Sequence, residues 1–458
     1  EIVQNVGTSD RFGDVIEAIP MTQWWLDVNR VIPSKGKTLK DLMREAVTSG
    51  LKNDAKQRVS IMPDRFEKLY LQRIENLRDW CLSRQIWWGH RIPVWYRGEE
   101  IVASPTSPGA DWEQDPDTLD TWFSSATWTF STLGWPTQTE DLKTYHPTPW
   151  IQMGYEIVYL WMMRMILTSV YALDEIPFKE VYIHGILRDE NGKKFSKSSG
   201  NNIDPLDVIA SHGCDALRWS VLIGTTPGND SRYYQEKVDG ARNLVNKLWN
   251  ISRYLITTIN AEDTATSKVE TLADRWIQYR LNEVVASMTK KMDASQFSAA
   301  GEELRDFTWG DLADWYLEIA KVEKGKTAIL RQMLQTLLKL WHPFTPFVTE
   351  HIWKLAGFEG MLMVAEWPEG SQTSEEGVGQ YFERLRLFIT DGRRLRAEQG
   401  VEASKAIVFG WSADEQMTSV LTENNAWIKR MLNASELTRM DSIPSAWVAV
   451  TSGASSLG

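Results

Sequence analysis

Cysteine is scarce. Cys81 and Cys214 are the only two in 458 residues, too few for a disulfide framework or a thiolate metal cluster, which favours a reducing, cytoplasmic setting. Long apolar runs are also missing. The nearest approach to a membrane span is Ile157 to Leu173, but its 17 residues lie at the short end of the range and Arg164 interrupts them. A buried helix is expected there, and no membrane partner. The first residues hold no basic segment followed by an apolar one, so no secretory signal is expected. Positive charge is in deficit: 50 Lys and Arg against 61 Asp and Glu leave a net charge of −11. That argues against general affinity for nucleic acid; any RNA contact needs cations clustered locally.

What is present is a soluble globular composition, 43% hydrophobic and 24% charged, in a chain long enough for two to four domains. From Pro63, apolar residues at Phe66, Leu69, Ile74, Leu77 and Cys81 predict a helix ending near Gly89. A short strand around Val94, an acidic loop, a helix near Phe123 and a strand around Ile151 follow. Next come the buried helix from Ile157 and a strand at Val181-Tyr182-Ile183. This alternation indicates a parallel α/β layer. Beyond Glu236 the pattern is helical, over Val238 to Ile259, Leu272 to Met292, Phe297 to Ala320 and Thr327 to Leu340. Two prolines in His342-Pro343-Phe344-Thr345-Pro346-Phe347 must break that run. Glu369 to Gly379 reads as a linker, Tyr381 to Gln399 as a basic amphipathic helix, and Ala406 to Phe409 as a strand. Arg384, Arg386, Arg393, Arg394 and Arg396 on that helix form either an RNA track or a solvated face balanced by acids.

The segment richest in chemistry is Lys194-Phe195-Ser196-Lys197-Ser198. Asp189-Glu190-Asn191-Gly192 before it supplies a turn, and Asp204-Pro205 after it a helix start, Asp as N-cap and Pro at the first helical position. Two ammonium groups and neighbouring hydroxyls between a strand and a helix suit nucleotide phosphates. A solvated surface loop has the same composition.

That loop resembles the KMSKS signature of class I aminoacyl-tRNA synthetases, with Phe195 in the usual Met position. Asp79-Trp80-Cys81-Leu82-Ser83-Arg84-Gln85-Ile86-Trp87-Trp88-Gly89-His90-Arg91-Ile92-Pro93 is similar to the valyl version of a block shared with the isoleucine and leucine enzymes. Leu119-Asp120-Thr121-Trp122-Phe123-Ser124-Ser125, Gly154-Tyr155-Glu156-Ile157, Tyr182-Ile183-His184-Gly185 and Gly200-Asn201-Asn202-Ile203-Asp204-Pro205 follow in family order. The second signature of the class, HIGH, is not found. The chain therefore resembles the C-terminal part of a valyl-type synthetase, with Glu1 expected inside the connective insertion. The implied architecture is a partial Rossmann-like α/β nucleotide-binding domain, an all-α anticodon-binding bundle and a small α+β domain. The expected boundaries are 1–60 for the end of the insertion, 61–235 for the second catalytic half, 236–370 for the bundle and 371–458 for the last domain. Cysteine pairs that bind zinc in some relatives are missing, so no structural zinc or other resident metal is expected.

The resemblance implies ATP with Mg²⁺, valine and tRNA(Val) as substrates, with a HIGH-bearing N-terminal half as partner. It assigns Lys194, Lys197 and Ser196 to catalysis, with Lys197 and Ser198 also contacting ATP. Gly154 and Glu156 would hold the ribose, and His184 and Gly185 border the adenine; taken alone, a histidine such as His184 after an apolar strand is more often a packed structural residue. Trp161, with Trp122, would line the valine pocket or pack the core. Asp120 would hold the substrate ammonium, organise its loop, or cap a helix. Arg242, Asn246 and Lys247 share a helix face suited to tRNA backbone or simply to solvent. The implied activity is activation of valine to valyl-adenylate and transfer to tRNA. A subunit of a split synthetase and an inactive tRNA-binding module remain as alternatives.

Overall fold

The computed structural model describes residues 6–9, 13–17, 19–196, 200–261, 271–370, 376–452 and 455–458. The chain divides into two compact units. One comprises Glu1–Ile186 with Pro227–Asn229, the other Leu187–Thr226 with Asp230–Gly458.

The first unit is built on three parallel strands: β1 (Ser60–Met62), β2 (Thr148–Gly154) and β3 (Phe178–His184). Their order is β1-β3-β2, and β3 pairs with β2 in register from Phe178 opposite Thr148 to His184 opposite Gly154. On the middle strand Val181 and Ile183, which share one face, are 1% and 0% exposed. The apolar run from Ile157 forms a wide π turn, Val158–Met162, continuing as a helix, Met163–Ala172. Met162, Met165, Ile166 and Val170 on it are fully buried in the same core as the strands. It is a buried helix, and no described helix is long and apolar enough to cross a membrane.

One element differs from expectation. The helix after Pro63 spans only Arg65–Glu75, burying Phe66, Tyr70 and Ile74, and ends at Asn76. The apolar spacing continues, but Trp80–Cys81 pairs instead with Trp25–Leu26, and Ser83–Arg84 with Thr118–Leu119. Distant strand partners overrule the local helical period.

In the second unit, helices Gln235–Ala261, Leu272–Asp293 and Thr327–Trp341 coincide with the periodic segments. Phe297–Asp306, a π-wound run Phe307–Tyr316 and Leu317–Ala320 together cover the fourth. The proline pair acts as expected: one helix stops at Trp341 and the next, Pro346–Leu355, starts with Pro at its first turn. The helix Glu376–Glu398 packs on the bundle through Phe382, stacked 3.8 Å from Trp276. Much of the expected linker lies outside the described residues, and Glu376 to Gly379 are already helical. The chain closes in a four-stranded mixed sheet, in the order Ala434–Arg439, Ile407–Ala413, Ser455–Leu457, Val450–Ser452.

The basic cluster on Glu376–Glu398 is engaged within the chain. Arg386 bonds Asp311 and Glu383, and Arg394 lies 2.9 Å from Asp391. Arg393 donates to the Met431 carbonyl, while the buried Arg396 donates to those of Asn433, Glu402 and Lys405. Arg384 sits over the Tyr381 ring. Arg386, Arg393 and Arg396 fasten the helix to its surroundings, whereas Arg384 and Arg394 are exposed with their described partners on the same helix.

Candidate active site

In the first unit, two candidate ligand-binding positions meet at the carboxyl ends of the parallel strands. Gly154 ends β2 and His184 ends β3, directly opposite one another. That edge is where open α/β sheets bind ligands. Glu156 follows Gly154 in a 3-10 turn and folds back over it, so a Cβ built at residue 154 would collide with the Glu156 carboxylate. A larger residue there would displace the Glu156 carboxylate from this position. Glu156 is exposed, whereas Gly154 is buried. The His184 ring nitrogen Nδ1 lies 2.7 Å from the Gly185 carbonyl, which orients the imidazole along the strand end.

A second group collects around the helix Thr121–Ala126. Asp120 caps it, accepting from the Trp122 amide at 3.2 Å. The same carboxylate accepts from Trp80 Nε1 at 2.9 Å and from Arg84 at 2.8 Å, with Arg164 3.9 Å away. At 3% exposure it is enclosed by these donors, which is the geometry of a loop organiser and cap. Arg164 lies over the Trp80 ring at 4.1 Å and the Trp122 ring at 5.9 Å. Burial pushes its guanidinium below the ordinary value, and Asp120 pulls the other way. Trp161, on the π turn, donates to the Ser125 carbonyl at 3.1 Å and tilts against Trp128. Thus Asp120, Trp122 and Trp161 are gathered round one short helix. A cavity of about 250 Å³ is lined by Trp25, Trp80, Tyr159 and Arg164, but by neither Trp122 nor Trp161.

The lysine loop belongs to the second unit. Leu187–Arg188 pairs with Ser231–Arg232, and the Tyr233 amide donates to the Arg188 carbonyl, pinning the loop's base. Arg188 also bridges to Lys194 across the turn and bonds Asp230. Gly192, at φ 81°, makes the turn that a left-handed conformation demands. Lys194 is exposed, while Phe195 packs edge-on against Tyr233 at 6.4 Å. An aromatic residue therefore fills the apolar anchoring position. Lys197 and Ser198 lie outside the described residues. Behind the loop, Asp204 accepts from the Leu206 amide and caps the helix Pro205–His212, as its sequence indicates.

Sequence reasoning assigned no role to Asn201, whose side chain joins both limbs of this loop. It donates to Asp189 Oδ2 at 2.9 Å and to the Lys194 carbonyl at 3.2 Å, and accepts from the Ser196 amide at 3.0 Å. This amide holds the Asp189 carboxyl below its usual range. An Asn placed shortly after a Lys-Ser loop, with an Asp before it, was the available signal.

On the long helix Gln235–Ala261, Arg242 and Asn246 are exposed one turn apart. Lys247 stands over the Trp309 ring at 5.0 Å and 3.9 Å from Asp314, so part of its charge is engaged within the bundle.

The family described as tRNA synthetases class I (I, L, M and V) matches residues 13–107 and 100–233, and the anticodon-binding domain of tRNA ligase matches residues 274–409. The chain belongs to the class I tRNA synthetases. Within that family it is 44% identical to the valine–tRNA ligase of Carboxydothermus hydrogenoformans, over 95% of this chain and 50% of that protein. It is 41% identical to the valine–tRNA ligase of Geobacillus kaustophilus, over 99% of this chain and 53% of that one. The chain spans about half the length of the curated relatives it matches. Two solved structures share the fold at low identity. A leucyl enzyme of Agrobacterium radiobacter K84, in complex with tRNA, aligns with TM-score 0.55 at 18% identity over 79% of this chain and 50% of that one. The apo methionyl-tRNA synthetase of Mycobacterium tuberculosis aligns with TM-score 0.58 at 15% identity, over 78% and 67%.

Proposed function

We propose that this chain forms the carboxyl-terminal part of a cytoplasmic valine–tRNA ligase, acting with a HIGH-bearing amino-terminal half. The observation that carries the reading is the meeting of Gly154, Glu156 and His184 at the carboxyl edge of a parallel sheet, in a chain whose relatives are valine–tRNA ligases.

In the first step a valine carboxylate oxygen attacks the α-phosphorus of ATP. The mixed anhydride forms and pyrophosphate leaves. Magnesium enters with ATP as part of the substrate. The chemistry needs charge neutralisation on the phosphates more than a protein nucleophile. Lys194 and Lys197 supply it, with Ser196 and Ser198 donating hydrogen bonds. Glu156 accepts from the ribose hydroxyls, and the backbone of Gly154 allows their approach. His184 and Gly185 border the base. Trp161 and Trp122 enclose the branched side chain of valine, and Asp120 fixes the helix that presents Trp122. In the second step a terminal ribose hydroxyl of tRNA(Val) displaces AMP from the acyl carbon. Arg242, Asn246 and Lys247 contact the RNA backbone along one helix face.

The test mixes this chain with a separately produced amino-terminal half of a valine–tRNA ligase and follows valine-dependent ATP–pyrophosphate exchange. Exchange is expected only when both chains are present. Binding of tRNA(Val) with no exchange in the mixture would overturn the ligase reading and leave an RNA-binding module. In the active mixture, Lys194→Ala should slow exchange by roughly 10²-fold, the scale of losing one preorganised charge contact.

A further inference from the structure

The lysine loop carries a polar circuit that its proposed chemistry does not itself require. On one limb, Asp189 accepts from the Lys193 amide through Oδ1 at 2.7 Å, and its own amide donates to the Lys193 carbonyl at 2.9 Å. From beyond the other limb, Asn201 returns to the remaining Asp189 oxygen, to the Lys194 carbonyl and to the Ser196 amide. One primary amide thus uses its two protons and its oxygen on three different residues. No other side chain of that length offers two donors and an acceptor on one planar group.

We propose that Asn201 and Asp189 form a clasp that positions the limb carrying Lys194 and Ser196 for the phosphates of ATP. Both are positioning residues, since neither touches the reacting atoms, and the proposal rests on the ligase reading above. The physical basis is that the Asn201 side chain ties three points of the loop together, beside the ring contact of Phe195 against Tyr233. The limb's backbone course is set by the Arg188–Lys194 bridge, by the Asp189–Lys193 backbone bond and by hydrogen bonds with the Asn201 side chain. Alanine at 201 leaves the Ser196 amide and an Asp189 oxygen without these bonds. Aspartate at 201 retains the acceptor for Ser196 but places two carboxylates side by side, and like charges at that distance repel.

The experiment compares Asn201→Asp, Asp189→Asn and the double exchange of both. In the chain alone, amide hydrogen exchange of the peptide spanning 187–196 is followed by mass spectrometry. In the two-chain mixture, pyrophosphate exchange is measured against ATP and valine concentration. Asn201→Asp should speed amide exchange roughly tenfold and lower kcat/KM for ATP by a similar factor, as expected for losing hydrogen bonds to a charged group. The KM for valine should hold. The double variant should recover part of both losses, because the amide introduced at position 189 then donates to the carboxylate introduced at position 201, which still accepts from the Ser196 amide, while the Lys194 carbonyl stays without its donor from residue 201. Single variants that leave amide exchange unchanged, or a double variant as impaired as the two singles combined, would overturn the clasp. Faster amide exchange with an unaltered ATP step would overturn its positioning role. If the unmutated mixture shows no pyrophosphate exchange, the ligase reading itself fails, and the clasp's purpose with it.

Discussion

The strand ends of the first unit and the lysine loop of the second place chemistry by opposite means. At the strand ends, Gly154 and His184 are fixed by parallel register, with Met153 and Ile183 buried immediately behind them. Their positions follow from the core and are as hard to move as the core. In the loop, Lys194 and Ser196 follow an exposed chain held by a two-strand base, one aromatic contact and the Asn201 amide. The first arrangement suits groups that grip an unchanging part of a substrate. On the ligase reading proposed above, the second suits charges that must follow a group departing during the reaction.

The largest expected effect that would sharpen this contrast is Ile183→Ala. The side chain is 0% exposed in the middle strand, so its truncation should cost about 2–5 kcal/mol of stability. Denaturant unfolding should show a lower midpoint at constant slope. A smaller effect is expected from Phe195→Ala, which removes the edge contact with Tyr233, a contact on the order of 0.5–1.5 kcal/mol. It should loosen the loop in amide exchange and leave the global midpoint nearly unchanged, with Phe195→Met retaining most of the protection. A global midpoint displaced as far as by Ile183→Ala would erase the distinction between the two regions.

The smallest effect concerns pH. Burial pushes His146 in the first unit and His342 in the second below the ordinary histidine value, opposed by Glu175 beside the former and by Glu350 and Asp215 beside the latter. The folded chain then binds fewer protons than the unfolded chain just below the ordinary value of about 6.5. Stability is therefore full above that pH and is lost as pH falls through the lower folded values. Thermal unfolding between pH 7.5 and 5 should show the decline, and His342→Gln should flatten part of it. A rise in melting temperature over the same interval would contradict the burial argument.

Much of this was legible in the residues. Helical periodicity located the four long segments of the bundle because each buries one continuous stripe, and Asp204-Pro205 announced its cap through purely local chemistry. Asn201 went unread although its partners lie five to twelve residues away; the other unread features depend on distant partners. The stripe through Leu77 and Cys81 looked helical until Trp25–Leu26 claimed it as a strand. Asp120 has a cap's sequence position, but Trp80, Arg84 and Arg164, which enclose it, come from elsewhere. The arginines after residue 380 left an RNA track and a solvated face equally open, because nothing in their own helix reveals that Asp311, Met431 and Asn433 take Arg386, Arg393 and Arg396.

Asp215 carries a consequence for how the second unit assembles. Its carboxylate accepts from the Phe347 and Val348 amides, 132 and 133 positions later, at the start of the helix Pro346–Leu355. Thr345 offers no side-chain cap there, so that first turn borrows its terminator from a much earlier helix. Such a helix gains its full stability only after a long chain closure, which is entropically slow to reach. During synthesis the borrowed carboxylate emerges well before the turn it completes, and the last helix of the bundle arrives to find its anchor already in place.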